Sequence, residues 1–211
     1  MEPFPPCGTH VPKRPLDVHN GWVSSRFPPK PASCKGHLLV ASPPLADPNF
    51  DRTVVYVIEH GDDGAVGVVV NRPLPETLPE PVERWNDELS APGLVFEGGP
   101  VETEALIALA EVHGESEAWT LVDDTLASLD LSLDPATAAA GVLRLRVFRG
   151  YSGWAPGQLD EELEQDAWIV LPATLDDVFT AGPGELWRSV LQRQGGRLAW
   201  LAKAPDDLSA N

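Results

Sequence analysis

The chain has 211 residues, of which 43% are hydrophobic, so it is long enough to bury one sizeable core. Its 15 Lys and Arg stand against 32 Asp and Glu, and the net charge of −17 makes the average surface repel phosphate backbones and anionic membranes. The composition therefore favours a single globular domain and weighs against direct binding of nucleic acid.

The first 35 residues are rich in proline, including Pro5-Pro6 and Pro28-Pro29, and show no apolar periodicity. We expect residues 1–35 to form a disordered arm and residues 36–211 to form the folded domain. No run of about 18 apolar residues occurs, and the N-terminus lacks the apolar segment of a signal peptide. The expected location is the cytoplasm, without contact with a membrane.

Cysteine and histidine spacing gives no sign of a metal site. Cys7 and Cys34 do not form a C-x-x-C pair, and no His pair lies beside them with the spacing of zinc ligands. We expect neither a metal, nor a disulfide scaffold, nor another cofactor.

The first predicted elements are strands. Residues 36–40 form a short apolar run, and the chain then reaches the kinked loop at Asp47-Pro48. TVVYVIE, residues 53–59, and AVGVVVN, residues 65–71, flank the turn signal of residues 61–64, which predicts a β-hairpin. Both runs are apolar at consecutive positions, so we expect both faces of this part of the sheet to be covered.

A proline-punctuated connection, residues 73–92, follows the hairpin and contains one short amphipathic stretch, marked by Val82, Trp85 and Leu89. Residues 94–96 are predicted to form a short strand before the turn at residues 98–100. The run ALIALAEV, residues 105–112, has alanine and leucine, which favour a helix, but it is short and follows a tight turn. We therefore expect a strand, with a helix as the alternative.

A helix and a strand are predicted next. Asp134-Pro135 provides an N-cap and a proline at the first helical position, and Gly141 ends the short helix. Apolar residues then alternate with Arg144 and Arg146, as in a strand with one solvated face. We expect Arg144, Arg146 and Arg149 to lie on that face and to pair with carboxylates.

We expect this strand to stop before Gly150, because Gly150 and Gly153 allow a sharp turn. A helix should begin near Gly157, with Leu159 and Leu163 on one face. The remaining predictions are a strand at residues 168–171, a capping box at residues 174–177, and a helix over residues 185–194 that Gly195-Gly196 ends.

Four segments in order, LLVASPPLADPNFDRTVVYVIEH, GAVGVVVNRP, FEGGPV and GYSGWAPGQLDEELEQDAWIV, resemble the AlgH/YqgE family of bacterial proteins over about residues 36–195. The most specific pattern consists of Gly150, Tyr151, Trp154, Gln158, Leu159 and Glu162. The resemblance implies an α+β (mixed α/β) fold, with helices packed outside a strongly bent, barrel-like mixed sheet. Family members are often labelled transcriptional regulators, and the resemblance implies no established reaction.

Six residues are candidates for a polar binding pocket: Arg52, His60, Asn71, Tyr151, Trp154 and Gln158. His60 and Asn71 end the paired strands of the hairpin, and the last three lie where a strand is followed by a helix. A structural role is equally open for His60 and Asn71, which suit local backbone hydrogen bonds, and is favoured for Trp154, which suits a sheet–helix interface.

The sequence favours a regulatory or binding protein without catalysis, with an unknown protein or small molecule as its partner. One alternative is a hydrolase-type enzyme that uses a pocket of His60, Asn71 and Tyr151, although no nucleophile elbow or base signature is present. A second is a transcriptional regulator that acts through protein partners, since no helix-turn-helix is recognisable.

Overall fold

The computed structural model describes residues 28, 30–43 and 50–203. Most of the expected arm, Cys7 and the Asp47-Pro48 loop lie outside these residues. The strands are β1 (His37–Ala41), β2 (Val54–Gly61), β3 (Gly64–Val69), β4 (Phe96–Glu97), β5 (Val101–Val112), β6 (Trp119–Leu121), β7 (Leu126–Leu129), β8 (Val142–Trp154) and β9 (Trp168–Pro172). The helices are α1 (Pro135–Ala138), α2 (Gln158–Glu164), α3 (Leu175–Val178), α4 (Leu186–Gln192) and α5 (Gly196–Leu201), with 3-10 helices at Glu83–Glu88 and Pro183–Glu185.

Eight strands follow one another in the order β6-β7-β5-β8-β3-β2-β1-β9, each antiparallel to its neighbours, and β4 pairs with β8 in parallel. The sheet curls into a half-barrel, because one hydrophobic cluster contains residues from strands near both ends of this order. We call this cluster the inner core: it joins Leu126 of β7 to Leu171 of β9, and residues of α4 and α5 pack against it. The predicted α+β fold on a strongly bent sheet is confirmed.

The opposite face of the sheet carries two separate clusters. Trp85, in the amphipathic stretch noted in the sequence, belongs to the first 3-10 helix and lies over β5, β7 and β8. Leu159 of α2 lies over β1, β2, β3 and β9, together with Trp154 and Trp168; we call this second cluster the outer core. Both faces of the hairpin are therefore covered, as its continuous apolar runs predicted.

The predicted hairpin is confirmed as β2 and β3, and it contains a β-bulge. Val57 pairs with Gly67 but Glu59 pairs with Val66, so β2 has one extra residue at this point. Val54 and Tyr56 face the inner core, and simple alternation would direct His60 there too. The bulge shifts the alternation, and His60 instead pairs with Ala65 of the outer core.

The strand that was expected to stop before Gly150 continues to Trp154. Gly150 adopts φ +68°, and a Cβ at this position would lie 2.6 Å from the carbonyl oxygen of Gly99. The glycine thus allows a close approach between neighbouring segments inside a strand rather than a reversal of direction. The reversal comes later, where Gly157 at φ +76° precedes α2.

Several other predictions can be compared directly. The strand over residues 105–112 is confirmed and begins earlier, at Val101, and the N-cap of α1 and the capping box of α3 are present. The sequence analysis did not predict β6, β7 or α5. In the described part of the chain, no helix is long and apolar enough to cross a membrane.

The prediction that Arg144, Arg146 and Arg149 all lie on a solvated face is wrong for Arg146. Arg144 pairs with Glu111 and Asp176, and Arg149 with Glu76, as expected. Arg146, however, is 1% exposed, and its guanidinium donates to the carbonyl oxygens of Ala91, Val178 and Thr180. It stacks on Phe96 at 4.1 Å, and burial lowers its pKa to about 10. The cation is therefore a cross-link between β8, the segment after α3 and the loop before β4.

We expect Arg146→Lys to lower the free energy of unfolding by about 2–3 kcal/mol, since an ammonium retains the buried charge but cannot reach three carbonyls or stack on a ring. Arg144→Lys, on the same strand and partly exposed, should cost less than about 1 kcal/mol. Urea denaturation of both variants measures the difference. Equal losses would contradict the cross-linking role of Arg146.

Candidate functional site

The motif that carries the resemblance is held together by one buried carboxylate. Glu162 of α2 is 6% exposed, and its Oε2 accepts hydrogen bonds from the indole Nε1 of Trp154 at 2.9 Å and of Trp168 at 2.8 Å. Its Oε1 accepts from the Gln158 amide at 3.0 Å, and Gln158 in turn accepts from the backbone N–H of Ala155. The carboxylate thus ties α2 to β8 and β9 at once.

The two tryptophans also pack against each other. Their ring centroids are 6.0 Å apart at an interplanar angle of 78°, and Phe50 meets Trp168 edge-on at 5.2 Å. Edge-to-face pairs of this kind add to the stability that burial alone provides. Trp154 therefore fills the interface between the sheet and α2.

His60 anchors the segment that precedes β1. Its Nδ1 accepts a hydrogen bond from the backbone N–H of Cys34 at 3.0 Å, and its carbonyl oxygen accepts one from the Ser33 hydroxyl. The ring is 8% exposed, and Nε2 lies 3.8 Å from a carboxylate oxygen of Asp160. Since Nδ1 accepts, the proton of the neutral ring is on Nε2, which faces Asp160.

Residues 30–35, which the sequence analysis placed in the arm, contact the domain through these groups. Lys30 pairs with Asp160 of α2 at 2.9 Å, and Lys35 pairs with Glu59 of β2 at 2.7 Å. Cys34 is fully buried, and desolvation raises the pKa of its thiol to about 11. A thiol with such a pKa is not a nucleophile at neutral pH.

Asn71 and Arg52 lie at the other end of the hairpin. The Asn71 side chain accepts from the N–H of Val54 and donates to the carbonyl oxygen of Arg52, which has φ +51°. The Arg52 guanidinium stacks on Trp187 at 5.2 Å. At about 3.3 Å per residue, the part of β2 between Val54 and His60 separates Asn71 from His60 by roughly 20 Å.

Tyr151 lies on the opposite face of the sheet, in the inner core. Its hydroxyl is 3.5 Å from Glu102, and burial followed by the charge of Glu102 raises its pKa. The structure therefore brings His60 and Trp154 beside α2, which begins with Gln158. It places Arg52 and Asn71 at the far end of β2, and Tyr151 behind the sheet.

A cleft of about 200 Å³ opens elsewhere, between the two ends of the curled sheet. We call it the seam cleft; its lining consists of Gly36, Tyr56, Asp123, Asp124, Thr125, Leu126, Ala173, Thr174, Leu175 and Val178. One wall is the turn between β6 and β7, and the other is the connection from β9 to α3. The turn reaches across to the start of β1, where Asp123 Oδ2 lies 3.4 Å from the place of a Cβ on Gly36.

Tyr56 is the buried polar residue of the seam cleft. Its side chain is 3% exposed and belongs to the inner core, and its hydroxyl forms no hydrogen bond with any residue that the structure describes. Burial, followed by the negative charge of Asp123, raises its pKa to about 12. The phenol is therefore neutral at physiological pH and retains both a donor and an acceptor for a ligand.

The seam cleft was not predicted from the sequence, and the reason is physical. Tyr56 is one polar atom inside the apolar run TVVYVIE, and the other lining residues come from segments about 70 and 50 residues apart in the chain. A sequence pattern within one segment cannot predict a cleft that forms where segments distant in the chain come together. The acidic pair Asp123-Asp124 was a visible signal, but it has the same appearance as an ordinary solvated turn.

With this geometry described, the comparisons with known proteins decide the family. The AlgH-like family model matches residues 38–199. The chain belongs to the AlgH-like family. A UPF0301 protein of Streptomyces coelicolor is 44% identical over 186 residues, covering 85% of this chain and 96% of that protein. A UPF0301 protein of Thermobifida fusca is 44% identical over 190 residues, with the same coverage of 85% and 96%.

Two solved structures show the same fold. Protein DIP2367 from Corynebacterium diphtheriae has a TM-score of 0.75 at 28% identity and covers 83% of this chain and 94% of its own. The AlgH protein from Pseudomonas aeruginosa has a TM-score of 0.64 at 31% identity, covering 85% of this chain and 98% of its own.

We expect Glu162→Ala to lower the free energy of unfolding by about 3–5 kcal/mol, because two indole donors and an amide would lose their buried partner. Glu162→Gln should cost less, since its carbonyl can still accept from the indoles. Glu161→Ala, one residue away and exposed, is the matched control and should change the value by under about 0.5 kcal/mol. Equal urea midpoints for Glu162→Ala and Glu161→Ala would contradict the account.

The Cys34 thiol should resist alkylation. In a Cys7→Ser background at pH 8, we expect iodoacetamide to label Cys34 at least about 100-fold more slowly in the folded protein than in urea, since a pKa of about 11 leaves little thiolate. A cysteine introduced at Ala32, exposed in the same segment, should react fast in a variant that lacks both native cysteines. Rapid labelling of folded Cys34 would restore it as a candidate nucleophile.

Proposed function

We propose that this AlgH-like protein binds a small ligand in the seam cleft and performs no covalent chemistry on it. The observation that carries the proposal is the contrast between two sets of polar groups. Trp154, Gln158 and Glu162 direct their hydrogen bonds to the protein itself, whereas the hydroxyl of Tyr56, a residue that is only 3% exposed, opens onto the seam cleft and forms no hydrogen bond with the described residues. That hydroxyl is therefore available to donate to or accept from a ligand in the cleft, at a place where most of the surrounding surface is withdrawn from water.

The geometry does not support a hydrolase that uses His60, Asn71 and Tyr151. His60 and Asn71 are at opposite ends of β2, and Tyr151 is on the other face of the sheet. The N–H of Cys34 donates to His60, but the raised pKa of the Cys34 thiol disfavours the thiolate. General acid–base catalysis needs its groups within hydrogen-bond reach of one substrate, which these three do not satisfy.

The position of the seam cleft fits a regulatory role. Its walls belong to opposite ends of the curled sheet, so a ligand between them would link the β6–β7 turn to α3. A volume of about 200 Å³ is below the range typical of drug-sized pockets, which favours a small molecule or the end of a longer one. Such a ligand would hold the half-barrel closed and change the surface that a protein partner meets.

A blocking variant tests the proposal. Thr125→Trp places a large side chain on the wall of the seam cleft, while Thr120→Trp adds the same side chain to the exposed strand β6 of the same hairpin, outside the lining. A small-molecule library is screened against each protein by saturation-transfer NMR. We expect compounds that bind the wild type to bind Thr125→Trp at least about tenfold more weakly and to bind Thr120→Trp with unchanged affinity.

The same experiment reports on catalysis. Each ligand should be recovered unchanged after prolonged incubation with the wild-type protein. Ligands that bind Thr125→Trp as well as the wild type would place the binding site elsewhere. Conversion of a ligand into products that stops in His60→Ala would instead support the enzyme alternative.

A further inference from the structure

We infer that the ligand of the seam cleft carries a primary ammonium group on a short aliphatic stem; this inference rests on the proposed function and specifies its ligand. The first argument is charge. Asp123 and Asp124 supply two carboxylates to the lining, and none of the ten lining residues is basic. In a protein with net charge −17, this wall attracts a cation and repels an anion.

The second argument is the kind of polar groups that face the ligand. The Tyr56 oxygen is an available acceptor, and Tyr56 and Asp123 line the same cleft of about 200 Å³. An ammonium is a compact cation with three N–H donors, so it can donate to a carboxylate and a phenol oxygen together. Charge-assisted hydrogen bonds of this kind are the stronger class.

The third argument is the apolar part of the lining. Leu126 and Val178 are buried beneath the seam cleft, and Ala173 and Leu175 are partly buried on its α3 wall. These side chains offer a surface for methylene groups but no hydrogen bonds. The lining therefore matches a ligand that is charged at one end and hydrocarbon at the other.

Other classes of ligand fit less well. An anion at the start of α3 would meet Asp176 and Asp177 in its first turn. Asp177 is already engaged by Thr174 and by Arg193, which donates to both of its oxygens. For a metal ion, the described part of the chain contains no group of three or more His, Cys, Asp or Glu that could hold one.

The test compares probes of one size and different charge. Isothermal titration with butylamine, 1-butanol and butyrate should give binding for the amine and at least about tenfold weaker binding for the alcohol and the acid. Raising the salt concentration should weaken amine binding, because the carboxylates are exposed.

Two variants and one control locate the interaction. Tyr56→Phe should weaken butylamine binding about fivefold, and Asp123→Asn about tenfold. Asp63→Asn makes the same change of net charge in the β2–β3 turn, away from the seam cleft, and should leave the dissociation constant within about twofold. Equal weakening by Asp63→Asn and Asp123→Asn would overturn the inference, since it would show attraction by net charge alone.

The outcomes separate the two proposals. Neutral or anionic compounds that bind in the seam cleft in preference to butylamine would overturn the ammonium inference and leave the proposed function standing. Both proposals would be overturned if no library compound, whatever its charge, showed binding to the wild type that Thr125→Trp blocks. Binding of butylamine that Tyr56→Phe and Asp123→Asn both weaken would support both.

Discussion

The structure depends on a single buried carboxylate. Glu162 lies on a helix of only seven residues, which would be marginal in isolation, and it accepts hydrogen bonds from tryptophans of β8 and β9. These strands are separated by β3, β2 and β1 in the sheet. By binding both indoles, the carboxylate fixes α2 across the outer face and covers the strands between them. A charge in such a place is stable only because each oxygen has a donor.

This constraint explains why the polar residues around Glu162 need not form a binding site. Trp154, Gln158 and Glu162 donate to or accept from one another or the adjacent backbone, and Leu159 fills the outer core beneath them. His60 uses the bulge in β2 to face the same side and to fix the segment before β1. The polar residues of this corner thus hold a curled sheet and its covering layer together. The seam cleft, by contrast, is lined by Tyr56, whose hydroxyl forms no hydrogen bond with the described residues.

The helices and strands that could be predicted are those whose sequence signals lie within a few residues of one another. The hairpin followed from β-branched runs around a glycine turn, α1 from an N-cap with proline, and α3 from its capping box. The strands β6 and β7 were too short for any periodicity. The continuation of β8 was missed because a glycine that allows close approach inside a strand has the same appearance in sequence as a glycine that ends one.

Arg146 and Tyr56 show where local pattern fails. Alternation correctly put Arg144 and Arg146 on one face, but the curl of the sheet and the chain after α3 bury the second of them among carbonyl groups. Likewise, the apolar run around Tyr56 predicted a covered strand, whereas the seam cleft exists because the β6–β7 turn meets the α3 connection in space. The six candidate residues lie at or near the ends of strands and helices, but their faces and separations depend on the bulge and the curl.

The most direct measurement of the central claim is the exchange of the indole N–H protons of Trp154 and Trp168 with deuterium, followed by NMR. If Glu162 holds both indoles inside the outer core, the two protons should exchange as slowly as the slowest backbone amides of β2 and β3, because both require global unfolding. Exchange within the dead time of the experiment would contradict the account, since it would show that these indoles face solvent and are free to meet a ligand.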